Sequence, residues 1–194
     1  MKLKVAVLAS LTTAVICGTL VPAADALDLM HWGSASATKP KGFQNGAAYQ
    51  LCFVPDGASC QDLLVSAIDQ TQSQLRVQAY SFTSAPIAAA ITRAKDRGVD
   101  VKVILDKSQV SQKYSGATYL RHAGIDVVID TKPAIAHNKV MIFDGNAVFT
   151  GSFNFTKAAQ QRNAENGMIV RGDEALTKAY LANWEKRYSV SSRY

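Results

Sequence analysis

The sequence predicts a mixed α/β fold in which a largely parallel central sheet carries helices on both faces. Three observations predict it. From Ala47 onward, short runs rich in β-branched and aromatic residues alternate with runs of helical period. Capping residues and glycines stand at the joints between them. Repeated strand–helix–strand order favours parallel neighbours, with the crossover helices packed on the sheet faces.

Taken in order, Ala47–Val54 reads as the first strand. Ser59 can cap a helix running to about Gln72, with Leu63, Leu64, Ala67 and Ile68 on one face. Leu75–Phe82 is the second strand. Ser84 and Pro86 open a helix to Arg97, and Gly98 closes it. Val99–Leu105 is a strand, residues from Ser111 to Ala123 a helix closed by Gly124, and Ile125–Ile129 a strand. The alternation then breaks. His137–Phe143 and Ala147–Thr150 are two strands joined by Asp144-Gly145-Asn146, and Asp-Gly is a strong hairpin signal. A short helix from Thr156 to about Arg162 and a last strand, Glu165–Val170, follow. Asp173 caps a C-terminal helix whose apolar face uses Leu176, Ala179, Tyr180 and Trp184.

The first residues stand apart from this pattern. Lys2 and Lys4 precede a mostly apolar run from Val5 to Val21, and Ala24-Asp25-Ala26 fits a small-residue cleavage site. The expectation is a secretory signal peptide over residues 1–26, with a retained membrane anchor as the alternative. Residues 27–46 are rich in Gly, Ser, Ala, Thr and Pro and read as an N-terminal arm. Residues 47–194 form one domain. Cleavage leaves 168 residues with a net charge of about +5, a balance that suits an anionic partner. It also leaves a periplasmic or secreted protein with no membrane segment of its own.

Export implies an oxidising compartment. Cys17 departs with the leader, and Cys52 and Cys60 flank a Pro55-Asp56-Gly57 turn. A local disulfide is expected there, with two buried thiols as the alternative. No C-x-x-C and no cluster of Cys and His ligands occurs, so no metal or other cofactor is predicted. His122, at a helix end, and His31, beside Trp32 in the arm, read as capping and packing residues.

The chemistry concentrates in His137-Asn138-Lys139 with Asp144 five residues on, followed by Gly151-Ser152-Phe153-Asn154. Along a strand, residues i and i+2 face one way, so His137 and Lys139 point together. A neutral imidazole can attack phosphorus and form a covalent intermediate. Lys139 supplies a charge for a phosphate oxygen, and Ser152 and Asn154 supply donors. Gly151 permits close backbone approach. Glu165 is the carboxylate expected to hold the second nitrogen of His137. Asp144 sits roughly 20 Å along the strand, which argues for a structural role in the turn. Lys107, Lys132, Lys157 and Arg162 read as solvated charges near the cleft.

These residues resemble the phospholipase D superfamily, whose signature is HxKxxxxD with a following GSxN, and in particular its short, single-motif secreted bacterial endonucleases of the Nuc type. The resemblance implies a phospholipase D-like fold and a phosphodiesterase that needs no metal. It also implies a phosphohistidine at His137, phosphate binding by Lys139 and Asn154, and support from Ser152 and Glu165. Such a reaction uses two histidines, one attacking and one protonating the leaving oxygen. A chain with a single motif is therefore expected to form a two-fold homodimer with a shared site. DNA is the expected substrate, with RNA open as well. The alternatives are a lipid phosphodiesterase or transphosphatidylase, and a non-catalytic nucleic-acid-binding protein.

Overall fold

The computed structural model describes residues 39–111 and 115–194. The expected leader, Cys17, His31, Trp32 and the expected arm up to residue 38 lie outside the described residues. All described elements fall within the compact unit Gly42–Tyr194.

Eight strands form one sheet: β1 Ala48–Val54, β2 Gln74–Ala79, β3 Asp100–Asp106, β4 Asp126–Asp130, β5 Lys139–Phe143, β6 Ala147–Gly151, β7 Glu165–Arg171 and β8 Ser192–Arg193. Their order is β1-β7-β6-β5-β2-β3-β4-β8. The mixed α/β class stands, but the sheet is mostly antiparallel. Only β2–β3 and β3–β4 pair in parallel. The β5-β6-β7 run is joined by short links that force antiparallel neighbours. The first strand does not lie beside the second. It crosses to the far edge and pairs antiparallel with β7, over more than a hundred residues of chain. The strand–helix–strand pattern locates a crossover but not the edge at which the strand lands.

Helices cover both faces. On one lie α1 Cys60–Gln70, α2 Ala85–Asp96 and α4 Gly116–His122, over a core that includes Leu64, Ile68, Leu75, Val77, Ile87, Ile91, Leu105, Leu120 and Phe149. Ser59 Oγ accepts the Asp62 amide and Ser84 Oγ the Ile87 amide, so both helices start at side-chain caps. Gly98 and Gly124 take left-handed φ just beyond their helices. Where one helix was expected between β3 and β4 there are two short ones: α3 Ser108–Ser111, then α4, which is capped by Ser115.

On the other face, α6 Glu174–Ser189 begins at Asp173, whose carboxylate accepts the Leu176 amide. Its buried residues are Thr177 and Trp184, joined by Tyr180, Leu181 and Tyr188, against Ile104, Val128, Val140, Ile142 and Val148. Ala179 faces solvent, so the packed face is rotated from the one the apolar residues suggested. Trp184 donates its indole N–H to Val77 O at 3.0 Å and stacks on Tyr188. Short α5 Lys157–Gln161 is capped by Thr156.

A disulfide joins Cys52 of β1 to Cys60, the first residue of α1. Tyr49, Leu51 and Phe53 alternate with the buried Cys52 and Val54 and are exposed on the open side of this edge strand. Among the described residues no helix is long and apolar enough to cross a membrane.

Candidate active site

Three neighbouring strands deliver the signature residues to one end of the sheet. Strand β5 lies between β2 and β6 and begins at Lys139, two residues later than expected, so His137 belongs to the approach rather than the ladder. That approach is pinned from two sides. Tyr80 N donates to Asn138 O at 2.9 Å. Asp106, buried at the end of β3 with 2 % of its surface exposed, accepts the Ala136 amide at 2.7 Å and the Ser108 amide at 2.9 Å. Burial pushes the Asp106 carboxyl up, but those two N–H groups, the Ser108 side chain and the Lys107 charge together hold it below the usual carboxylate value.

Asn138 turns away and accepts from Gln78 Nε2 at 3.1 Å. His137 and Lys139 share the opposite side, as a period of two requires. Lys139 Nζ stands 3.1 Å from His137 Nδ1 and 3.0 Å from Nε2, and donates to His137 O at 3.1 Å. The Tyr80 ring packs against the imidazole, 4.7 Å between centroids, and lies 5.3 Å from the Lys139 ammonium. The two site residues differ sharply in access: His137 is exposed, whereas Lys139 is only 7 % exposed. Burial lowers the Lys139 ammonium from the usual lysine value, and the charge of Glu165 works against that shift.

Glu165 is thus within electrostatic reach of Lys139, but its oxygens are engaged elsewhere. Ser152 Oγ donates to Oε2 at 2.6 Å and Asn163 Nδ2 to Oε1 at 2.8 Å. This corrects two expectations. Glu165 orients Ser152, not His137 of the same chain. Ser152 has one hydroxyl proton, and it points at Glu165; its lone pair takes the Asn166 amide at 3.1 Å. Asn154 sits between the buried Phe153 and Phe155, which fix its direction. Its side-chain Oδ1 is buried with no hydrogen-bond partner among the described residues. An unmet buried acceptor is uncommon and calls for a donor, whereas a phosphate oxygen would be served by the Nδ2 half of the same amide.

Gly151 lies opposite Gly167. A Cβ on Gly151 would stand 2.3 Å from Asn166 O and 2.7 Å from Gly167 Cα. The close approach it permits is therefore to its own neighbouring strand, and this lets Ser152 and Asn154 emerge level with Glu165.

Asp144 is remote from these groups, and its role is structural, though not within its own hairpin. Its Oδ1 accepts the amides of Gln72, Ser73 and Gln74 and the Ser73 hydroxyl, at 2.7–3.2 Å, and Oδ2 takes the Gln72 amide again at 3.0 Å. The carboxylate ties the hairpin to the turn between α1 and β2. Asp144 and Gly145 both take left-handed φ, 51° and 64°, which the Asp-Gly pair tolerates.

The remaining candidates stand apart from the site. Lys107, Lys132, Lys157, Arg162 and His122 are exposed. Lys107 reaches only Pro133 O, at 3.4 Å. Among the described residues no three His, Cys, Asp or Glu side chains gather as a metal site. The sequence reading missed Asp106, Tyr80 and Asn163. Asp106 and Tyr80 close apolar strands at the end where the signature emerges, and that position was the available signal.

The chain is similar to several known proteins. The family model described as "Cardiolipin synthase, PLD-like domain" matches residues 64–187. A phospholipase D of Rickettsia conorii is 41 % identical over 165 residues, covering 85 % of this chain and 78 % of that one. The human mitochondrial cardiolipin hydrolase is 33 % identical over 135 residues, 70 % of this chain and 53 % of that one. Among solved structures, the phospholipase D family member Nuc from Salmonella typhimurium superposes with a TM-score of 0.73 at 37 % identity, over 76 % of this chain and 98 % of Nuc. NucT from Helicobacter pylori follows with 0.69 at 25 % identity, over 76 % and 99 %.

Proposed function

This chain is a phosphodiesterase of the phospholipase D superfamily, and from that premise we propose that it is a metal-independent endonuclease of low sequence specificity acting on DNA. RNA carries the same diester and would enter the same chemistry. The observation that carries the reading is the solvent-open imidazole of His137 set against the Lys139 ammonium. The whole chain carries a net charge of +6. A site built to grip phosphate rather than base edges gives little sequence preference.

In the proposed reaction, a nitrogen of His137 attacks phosphorus, and the bond from phosphorus to the leaving oxygen breaks. The leaving oxygen takes its proton from His137 of the partner subunit. That imidazole then removes a proton from water, whose oxygen displaces His137 and releases the phosphate ester. Lys139 meets the charge that grows on the non-bridging oxygens, and Asn154 adds a hydrogen bond. Glu165 holds Ser152 and restrains Lys139. One imidazole cannot act on both sides of phosphorus at once, so the reading includes a two-fold homodimer with a composite site. It also places the mature protein outside the cytoplasm, after removal of residues 1–26.

The test is plasmid and oligonucleotide cleavage in excess EDTA, beside liposomes of phosphatidylcholine or cardiolipin. Cleavage of nucleic acid is the expected result. Phosphatidate release without nucleic-acid cleavage would replace this reading with the lipid one. That second reading is favoured by the exposed apolar side chains Ile135 and Val110 near the site and by the likeness to a cardiolipin hydrolase. Full activity in a species shown to be monomeric would overturn the shared site. Glu165→Gln keeps an acceptor for Ser152 but removes the charge beside Lys139. Turnover is expected to fall by at least about tenfold and the affinity for DNA by less; equal losses would make Glu165 a binding residue only.

A further inference from the structure

Glu165 of the same chain does not aim the imidazole of His137, because its two oxygens take Ser152 and Asn163. Lys139 Nζ touches the ring, but it stands almost equally far from Nδ1 and Nε2, at 3.1 and 3.0 Å. A contact that treats the two nitrogens alike selects neither of them for attack. An exposed histidine held by nothing more would spread over its rotamers. An attacking nitrogen, however, must meet phosphorus within a narrow range of distance and angle.

The contact that does have a direction is with Tyr80. Its ring centre lies 4.7 Å from that of the imidazole, with 54° between the planes. Paired rings at such a separation prefer particular angles, so the tyrosine restrains how the imidazole turns. The Lys139 ammonium lies over the same ring, 5.3 Å from its centre. The π face favours a cation there and works against the burial that disfavours the charge. One side chain thus meets both the nucleophile and the phosphate-binding cation.

The support is itself firmly placed. Tyr80 directly follows the buried Ala79, which ends β2, an interior strand between β5 and β3. Its backbone N–H donates to Asn138 O at 2.9 Å, and Gln78 Nε2 donates to Asn138 Oδ1 at 3.1 Å. Asn138 is the residue between His137 and Lys139. The end of β2 therefore grips the motif by its backbone and packs on its side chains at once.

We propose that Tyr80 is the positioning residue of the nucleophile: its ring, rather than a carboxylate of the same chain, sets the angle at which the His137 imidazole meets phosphorus. The proposal rests on the reading of His137 as the attacking group.

The test follows hydrolysis of bis(p-nitrophenyl) phosphate by the full chain carrying Tyr80→Phe, Tyr80→Leu or Tyr80→Met. Phenylalanine keeps the ring. Leucine and methionine fill much of its volume without one, and either serves if the other unfolds. Tyr80→Phe should stay within about threefold of the wild type. The ringless variants should lose about 30-fold or more in kcat, with KM changed less than about threefold, because Lys139 keeps its bond to His137 O. NMR reads the imidazole directly. Nuclear Overhauser contacts between the His137 ring and the Lys139 side chain should persist in Tyr80→Phe and fade in the ringless variants. A ringless variant that keeps its kcat overturns the proposal. Lost kcat with those contacts intact overturns it as well. So does a loss in Tyr80→Phe as large as in the ringless variants, since the phenol hydroxyl would then be the working group. His137→Ala separates the two failures. If His137→Ala is active, the reading of the nucleophile falls. If it is inactive beside a fully active Tyr80→Leu, only the role of Tyr80 falls.

Discussion

His137→Ala is expected to lower phosphodiester cleavage by about 10³–10⁴-fold or more, with the fold intact. The side chain is exposed, and apart from its contacts with Lys139 and Tyr80 it supports nothing in the core. Its removal should therefore leave the melting temperature nearly unchanged while deleting the attacking nitrogen. His137→Asn retains a polar group beside Lys139 but no nucleophilic nitrogen, so it should be as inactive as the alanine variant. A mixed dimer with one histidine and one alanine sharpens the result. If one imidazole attacks while the other protonates, such a dimer is inactive and not half-active. The measurement is plasmid cleavage in EDTA by variant preparations free of wild-type enzyme. Unchanged cleavage by either variant would remove His137 from the reaction.

The second large effect is on stability. Asp144→Ala deprives three successive backbone amides and one hydroxyl of their common acceptor. Hydrogen bonds to a charged group each contribute more than a neutral bond, but this carboxylate is exposed and solvent offsets much of the loss. About 2 kcal/mol is the expected net destabilisation, a fall of about 4–8 °C in Tm for a domain of this size. Activity per folded molecule should persist. Burial pushes the Asp144 carboxyl up, while the Gln74, Ser73 and Gln72 amides more than reverse it, so its folded value lies below the usual one. A depressed carboxylate stabilises the fold above its unfolded value, near about 4, and the contribution disappears as pH falls through the folded value. The gap between wild type and Asp144→Ala should be full at neutral pH and close in acid. Normal melting with lost activity would instead make Asp144 a chemical residue.

What the sequence made legible follows from the range over which each signal acts. Ser59, Ser84, Thr156 and Asp173 each cap the helix they precede, and Gly98 and Gly124 take the left-handed φ expected of them. These are contacts over three or four residues. The Asp144-Gly145 hairpin is equally local. The edge position of β1 is not local. It depends on Gly167 leaving room for Phe149 and Cys52, far apart in the chain. The rotation of α6 toward Thr177 and Trp184 was set by the sheet beneath it. In the site, spacing along one strand brought His137 and Lys139 together. The partner of Glu165 depended on how β6 and β7 align, and that alignment put Ser152, not His137, at its carboxylate.

The edge strand has a consequence for how the protein can be handled. An outer strand with an unpaired backbone row and an apolar, solvent-facing side is a template for aggregation. Tyr49, Leu51 and Phe53 provide that side, and among the described residues β1 pairs only with β7. The Cys52–Cys60 bond tethers this strand to α1, so it cannot peel away freely. Thiol reductants and expression in a reducing cytoplasm remove the tether, and aggregation through this edge is the expected result, read by light scattering with and without reductant. Solubility of this protein is in that sense expected to follow its redox state.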